Sequence, residues 1–248
     1  MGPNVNVSND IVIAQSSYTW AFNLLIKARL DPVLTATGYS VIDNANVTFD
    51  AAAGEYYFDY FTVKCSDSVV RTGRIHAKLT GDLLQQGSFC HIFFQNYSED
   101  YQAINGNDSI YNKGVNASNL MVFDDVISNG LISIYPGNGA ITFNSVNQFK
   151  TNSTSLAGGQ DILFLITGSS SGLSSGNYAF TASVRDSLLD SFSCPWIKGG
   201  IIDVHVPGVD VTDCTIDFIA GDGCSQLLYY YINGILIKLL KNKDYLKN

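Results

Sequence analysis

Few residues in this chain are equipped for acid–base, nucleophilic or metal chemistry. Its three histidines are His76, His91 and His205. His76 falls between Arg74 and Lys78 on the polar side of an alternating run. An anion-binding stripe is conceivable there, but a solvated face is expected, because charged side chains on half-buried strands mostly stay in water. His205 shares a face with Asp203, and His91, spaced with Phe89 and Phe93, is expected to be partly buried and satisfied. Glycoside hydrolysis needs two carboxyl groups facing each other across a sugar. Asp124-Asp125 cannot supply them from a regular strand, since neighbouring residues point to opposite faces. No Gly-x-Ser-x-Gly elbow marks a serine hydrolase. Gly221-Asp222-Gly223 looks like a fragment of a calcium loop, yet the remaining ligand positions of an EF-hand are not filled, so a tight turn is expected.

The five cysteines are Cys65, Cys90, Cys194, Cys214 and Cys224. None forms CxxC and none has zinc spacing with a histidine, so no metal site, no cofactor and no catalytic residue is expected. Cys90, in the apolar run 89–94, is expected to be a buried thiol acting as a small hydrophobe. Cys194, in Ser193-Cys194-Pro195-Trp196, and Cys224, after Gly223, sit in turn-like settings. They are the pair expected to bridge in an oxidising compartment, although an odd count leaves several pairings open.

The elements that would position these residues are mostly strands. Fourteen Tyr, fourteen Phe and twenty-two Gly stand beside a charged share of only 15 %, a balance that favours strands and turns over helices. Acidic charge is nearly all Asp, with Glu only at Glu55 and Glu99, and Asp belongs to turns and caps. Net charge is −8, and Lys238, Lys241, Lys243 and Lys247 crowd the C-terminus. The acidic body repels phosphate backbones, so nucleic acid is not an expected partner. The basic tail reads as a solvated end. No run approaches the roughly 20 apolar residues of a bilayer span, and the first residues carry neither the basic n-region nor the apolar h-region of a signal peptide.

One amphipathic helix is expected over about residues 10–30, with Ser8, Asn9 and Asp10 offering caps. Ala14, Tyr18, Phe22 and Leu25 would form its apolar stripe, and Asp31-Pro32 its stop. Period-two alternation then predicts strands at 72–80, 177–185 and 201–206, with further strands spread over about 43–240. Ser128-Asn129-Gly130 and 136–139 read as turns, Ser169 to Ser175 as a long hairpin loop, and Asn233-Gly234 as the turn of a C-terminal hairpin. The fold expected is a single mainly-β domain over 1–248, an antiparallel sandwich or barrel-like meander with one N-terminal helix.

A resemblance adds to this. Tyr57-Phe58-Asp59-Tyr60, the run from Cys65 to Ile75, Thr80-Gly81, Gly168, the run from Ser193 to Gly200, Ile216-Asp217-Phe218, Gly221 to Cys224 and Ile232-Asn233-Gly234 occur in an order that resembles uncharacterised secreted or cell-surface lipoproteins of Bacteroidota, over about residues 55–240. The resemblance implies export, a β fold and an extracellular or outer-membrane-associated location, and it agrees with Cys194 and Cys224 lying close together. It implies membrane contact only through a lipid anchor, and no lipidated cysteine opens the chain. It brings no catalytic residue.

Two classes of function follow. The first is a non-enzymatic structural or adhesive surface protein that associates with itself as an oligomer or filament. Tyr229, Tyr230 and Tyr231 would form its contact surface, and low Lys content would leave the edge strands open to pairing. The second is a surface protein that binds glycans by stacking sugars on exposed Tyr56, Tyr57, Tyr60 or Tyr97. A hydrolase is a distant third. The sequons at Asn6, Asn46, Asn96, Asn107, Asn116 and Asn152 agree with extensive exposed loops.

Overall fold

The computed structural model describes residues 3–134, 137, 139–151, 156, 162–218, 224 and 227–241. Helix α1 (Pro3–Leu30) and a short α2 (Pro32–Thr37) precede fourteen strands. These are β1 (Tyr39–Ile42), β2 (Ala45–Asp50), β3 (Glu55–Lys64), β4 (Val70–Thr80), β5 (Phe89–Glu99), β6 (Gln102–Val115) and β7 (Met121–Ser133). They continue with β8 (Ala140–Thr151), β9 (Leu163–Leu173), β10 (Ala179–Ser191), β11 (Cys194–His205), β12 (Asp213–Phe218), β13 (Leu227–Ile232) and β14 (Ile235–Lys241). Their order in the sheet is their order in the chain, and the neighbours are antiparallel. Of the two expected forms the meander is the one found, as one open sheet whose edge strands are β1 and β14.

The sheet curls around α1. Period-two alternation turns Phe58, Ile75, Ile92, Ile110, Phe123 and Phe149 inward on successive strands, all of them buried. Phe22 at mid-helix stacks on Phe149 at 4.0 Å between ring centroids and meets Phe164 and Phe123 edge-on. Tyr18 stacks on Phe143 and donates to the Asn105 carbonyl at 2.7 Å. The expected stripe is therefore buried, but α1 is not amphipathic in its setting: no residue of it is exposed. Polar side chains on so enclosed a helix need partners within the protein: Ser17 donates to Glu99 and Gln15 to Thr19, while the side-chain oxygens of Asn4 and Asn23 are left without a hydrogen bond.

That requirement explains a second difference. The helix begins already at Pro3, so Ser8, Asn9 and Asp10 lie inside it and cap nothing. They serve as tethers instead. Ser8 Oγ lies 3.3 Å from Cys214 Sγ on β12, Asn9 accepts from the Tyr230 hydroxyl on β13, and Asp10 accepts from the backbone N–H and hydroxyl of Ser175. Asp31 does end α1 and then caps α2, accepting from the Leu34 N–H at 2.7 Å.

Two expected turns are strand. Ser128-Asn129-Gly130 lies inside β7 as a bulge, where the register with β8 shifts between Ile127 and Gly130. Ser169–Leu173, expected as a loop, completes β9 and pairs with both β8 and β10, the hairpin turning only after it. Gly172 is required there, because a Cβ would sit 1.8 Å from the Thr142 carbonyl oxygen. Asn233-Gly234 does form the β13–β14 turn, with positive φ at both positions.

Candidate functional site

Among the described residues a wide trough lies on the outer face of the sheet, about 910 Å³ in volume, and crosses the strands from β7 to the β13–β14 turn. Its floor is set by register. One row runs Val126, Val146, Ser169, Ser183, Asp203, Thr215, each directly opposite the next on successive strands. A second runs Asn144, Ser171, Thr181, His205, Asp213. The hydroxyls and amides of these rows face solvent, and Val126 and Val146, 37 % and 60 % exposed, give one end an apolar floor. At the other end Tyr231 stands opposite Thr215 on β13.

The charges of the trough are matched within it. Arg185 Nη1 lies 3.0 Å from Asp203 Oδ1, which also accepts from Thr215. His205 Nδ1 lies 2.8 Å from Asp213 Oδ1, and these hydrogen bonds from His205 and then Thr212 hold the Asp213 carboxyl below its ordinary range. The sequence puts His205 on one face with Asp203, and its hydrogen-bond partner is Asp213 on β12.

The other histidines lie on the outer face of β4 and β5. His76 stacks on Tyr57 at 4.6 Å, and its neighbours are neutralised: Arg74 by Asp59 and Lys78 by Glu55, so no anion-binding stripe is left. His91 is exposed, contrary to expectation, because Phe89, His91 and Phe93 share the outer face while Cys90 and Ile92 turn inward. Of the tyrosines expected to stack on sugars, Tyr56, Tyr60 and Tyr97 are buried against the core. Tyr57 is outward, but His76 covers its ring, the Arg74 guanidinium lies 5.1 Å from its centroid, and its hydroxyl donates to Glu55.

Asp124 and Asp125 point to opposite faces. Asp124 accepts from Gln148, and Asp125 is buried. The carboxyl pair that does form is Asp108 on β6 with Asp125 on β7, side by side inside the sheet, and sequence spacing could not reveal it because register brings the two together. Burial first, and then the neighbouring Asp125, hold Asp108 well above the carboxylate range, and burial likewise raises Asp125. Both are fully buried, so they cannot face each other across a sugar.

The structure joins Cys194 to Cys224, with Cα atoms 5.3 Å apart, and leaves Cys65, Cys90 and Cys214 as buried thiols. Burial raises the pKa of all three, which suppresses the reactive thiolate. Among the described residues no three metal-ligating side chains cluster, and no helix is long and apolar enough to cross a membrane. The expected turn at 221–223 lies outside the described residues.

The C-terminal hairpin divides its tyrosines as period two requires. Tyr230 is buried against α1, while Tyr229 and Tyr231 stand on the outer face with ring centroids 6.2 Å apart. Beyond them β14 has Ile235, Leu236 and Ile237 exposed by 66 %, 49 % and 48 %, and among the described residues nothing pairs with its free edge. Compared with known proteins, the chain matches no family model, no curated protein and no solved structure.

Proposed function

We propose that this protein works through its surface and without turnover, as a structural or adhesive component outside the cytoplasm that associates with a second copy of itself through β14. The observation that carries this reading is the free edge of β14. Among the described residues its edge backbone groups have no strand partner and are a template for another strand, and three consecutive exposed aliphatic side chains make burial of that edge favourable. Edge strands that remain single are commonly short or charged. The four-residue β1 meets that description; β14 carries Lys238 and Lys241 but opens on the uncharged Ile235-Leu236-Ile237. The Cys194–Cys224 bridge supports an oxidising, extracytoplasmic location. The resemblance to cell-surface lipoproteins points the same way, with any membrane contact made through a lipid anchor.

Sedimentation of the purified protein tests it. The wild type is expected to sediment as an assembly larger than one chain. Ile235→Lys/Ile237→Lys, which places two charges on the exposed edge without touching the core, is expected to be monomeric and equally stable. A monomeric wild type at the highest attainable concentration overturns the association, and measured turnover on a glycan or an ester overturns the non-enzymatic reading.

A further inference from the structure

The trough lies on the outer face of the sheet and ends at the β13–β14 turn, apart from the backbone edge of β14. We propose that it binds an extended, neutral polysaccharide. Length comes first. The floor crosses six strands at one register, and five strand-to-strand spacings make a track of roughly 24 Å. That suits a chain molecule better than a compact metabolite.

Chemistry narrows the class. Ser169, Ser171, Ser183, Thr181 and Thr215 line the track with hydroxyls that rotate to donate or accept, and Asn144 adds an amide. Such a lining matches a polyol, whose hydroxyls also do both. Val126 and Val146 offer an apolar surface for the C–H faces of sugar rings at one end. Charge excludes the acidic polysaccharides. Among the described residues Arg185 is held by Asp203 and His205 is hydrogen-bonded to Asp213, so no unpaired lysine or arginine lines the track, and the chain carries a net charge of −8.

An extended peptide is the other long ligand, and the geometry disfavours it. Peptides gain affinity on sheets by adding a strand at an edge, where main-chain groups are unpaired. This trough lies on a face whose backbone groups are spent in the ladders between β7 and β13, leaving a peptide's own N–H and C=O groups to scattered hydroxyls.

Electrophoresis through gels containing a soluble mixed-linkage β-glucan, a galactomannan or polygalacturonate tests the proposal. The wild type is expected to be retarded by at least one of the neutral polymers and not by polygalacturonate. Ser171→Trp and Ser183→Trp, which fill the track from exposed positions, are expected to weaken that retardation at least tenfold. Gln95→Trp, exposed on β5 away from the trough, is expected to leave it unchanged. Thermal melting confirms that each variant is folded, and Thr181→Ala, which removes one exposed hydroxyl of the track and adds no bulk, is expected to weaken retardation in a protein of wild-type stability. Absence of retardation by both neutral polymers overturns the proposal, as does retardation that survives both tryptophan substitutions. Sedimentation of the same samples reports the β14 association separately, so failure of one reading leaves the other standing.

Discussion

Arg71 is 2 % exposed, and its guanidinium is closed in on every side. Nη1 and Nη2 donate to the two oxygens of Asp67, Nε to Glu99 and the Tyr97 hydroxyl, and the plane lies 3.7 Å from the Trp20 ring centroid. One cation holds two carboxylates there, and Ser17 of α1 donates to the second of them, so this group fastens the helix to β4 and β5. Arg71→Met would leave Asp67 and Glu99 without their counter-charge, and a loss of about 3–5 kcal/mol is expected in denaturant titration, typical of breaking a buried pair. A loss below about 1 kcal/mol would show that the charges are not fully desolvated. Asp108 and Asp125 present the opposite case, two acids with no cation. Tyr18 of α1, Cys90 of β5 and Asn147 of β8 face them, and none carries positive charge. Their raised pKa values mean that folding takes up protons. The stability they contribute is full below the ordinary carboxylate range near about pH 4 and is lost as pH rises through the raised folded-state values. Asp125→Asn is therefore expected to melt above the wild type at about pH 8 and to show a flatter stability profile from about pH 4 upward. Parallel profiles would exclude the pair as a source of pH dependence.

At the scale of elements, the sequence was most readable where one face is wet and one is dry. The alternation through Ile75 and Ala77, through Phe180 and Ala182, and through Ile202 and Val204 marked β4, β10 and β11, and the structure buries all six side chains. The first half of β9 is legible in its apolar residues, but Ser169–Leu173 reads as loop because a run of serines and glycines carries no hydrophobic pattern. Its outer side chains line a trough, and its pairing on both sides is what keeps it extended. The helix was legible in its stripe but not in its surroundings, since periodicity reports the most apolar face and says nothing of what covers the other faces. The Asp108–Asp125 pair was invisible for a related reason: cross-strand neighbours depend on register, and the bulges in β6 and β7 reset it. Enclosure makes α1 the core on which the sheet is wound, and this can be measured. Phe22→Ala removes the ring that meets Phe123, Phe149 and Phe164 together, and a loss of about 3–5 kcal/mol is expected from the cavity left behind. If that variant loses less than about 1 kcal/mol, the sheet holds its curl without the helix.

At the scale of the molecule, the described sheet follows chain order and ends on β1 and β14, and the way copies meet at these edges decides what they build. β14 against β1 is a head-to-tail contact, which repeats and gives open chains; β14 against β14 is self-complementary and closes at two copies. Antiparallel pairing of identical strands has a two-fold axis built in, whereas a β1 of four residues gives a head-to-tail contact little length over which to pair. The apolar side chains weigh in the same direction. Three consecutive ones are exposed at the start of β14, against Tyr39 and Val41 on β1, where Tyr39 already spends its hydroxyl on Asn46. A closed dimer is therefore expected, with sedimentation reaching a plateau at twice the chain mass as concentration rises. Val41→Lys, which charges the β1 edge, is expected to leave that plateau in place, while Ile235→Lys/Ile237→Lys removes it. Should Val41→Lys also abolish association, or should the wild type grow without limit, the contact is head-to-tail and the assembly is a filament.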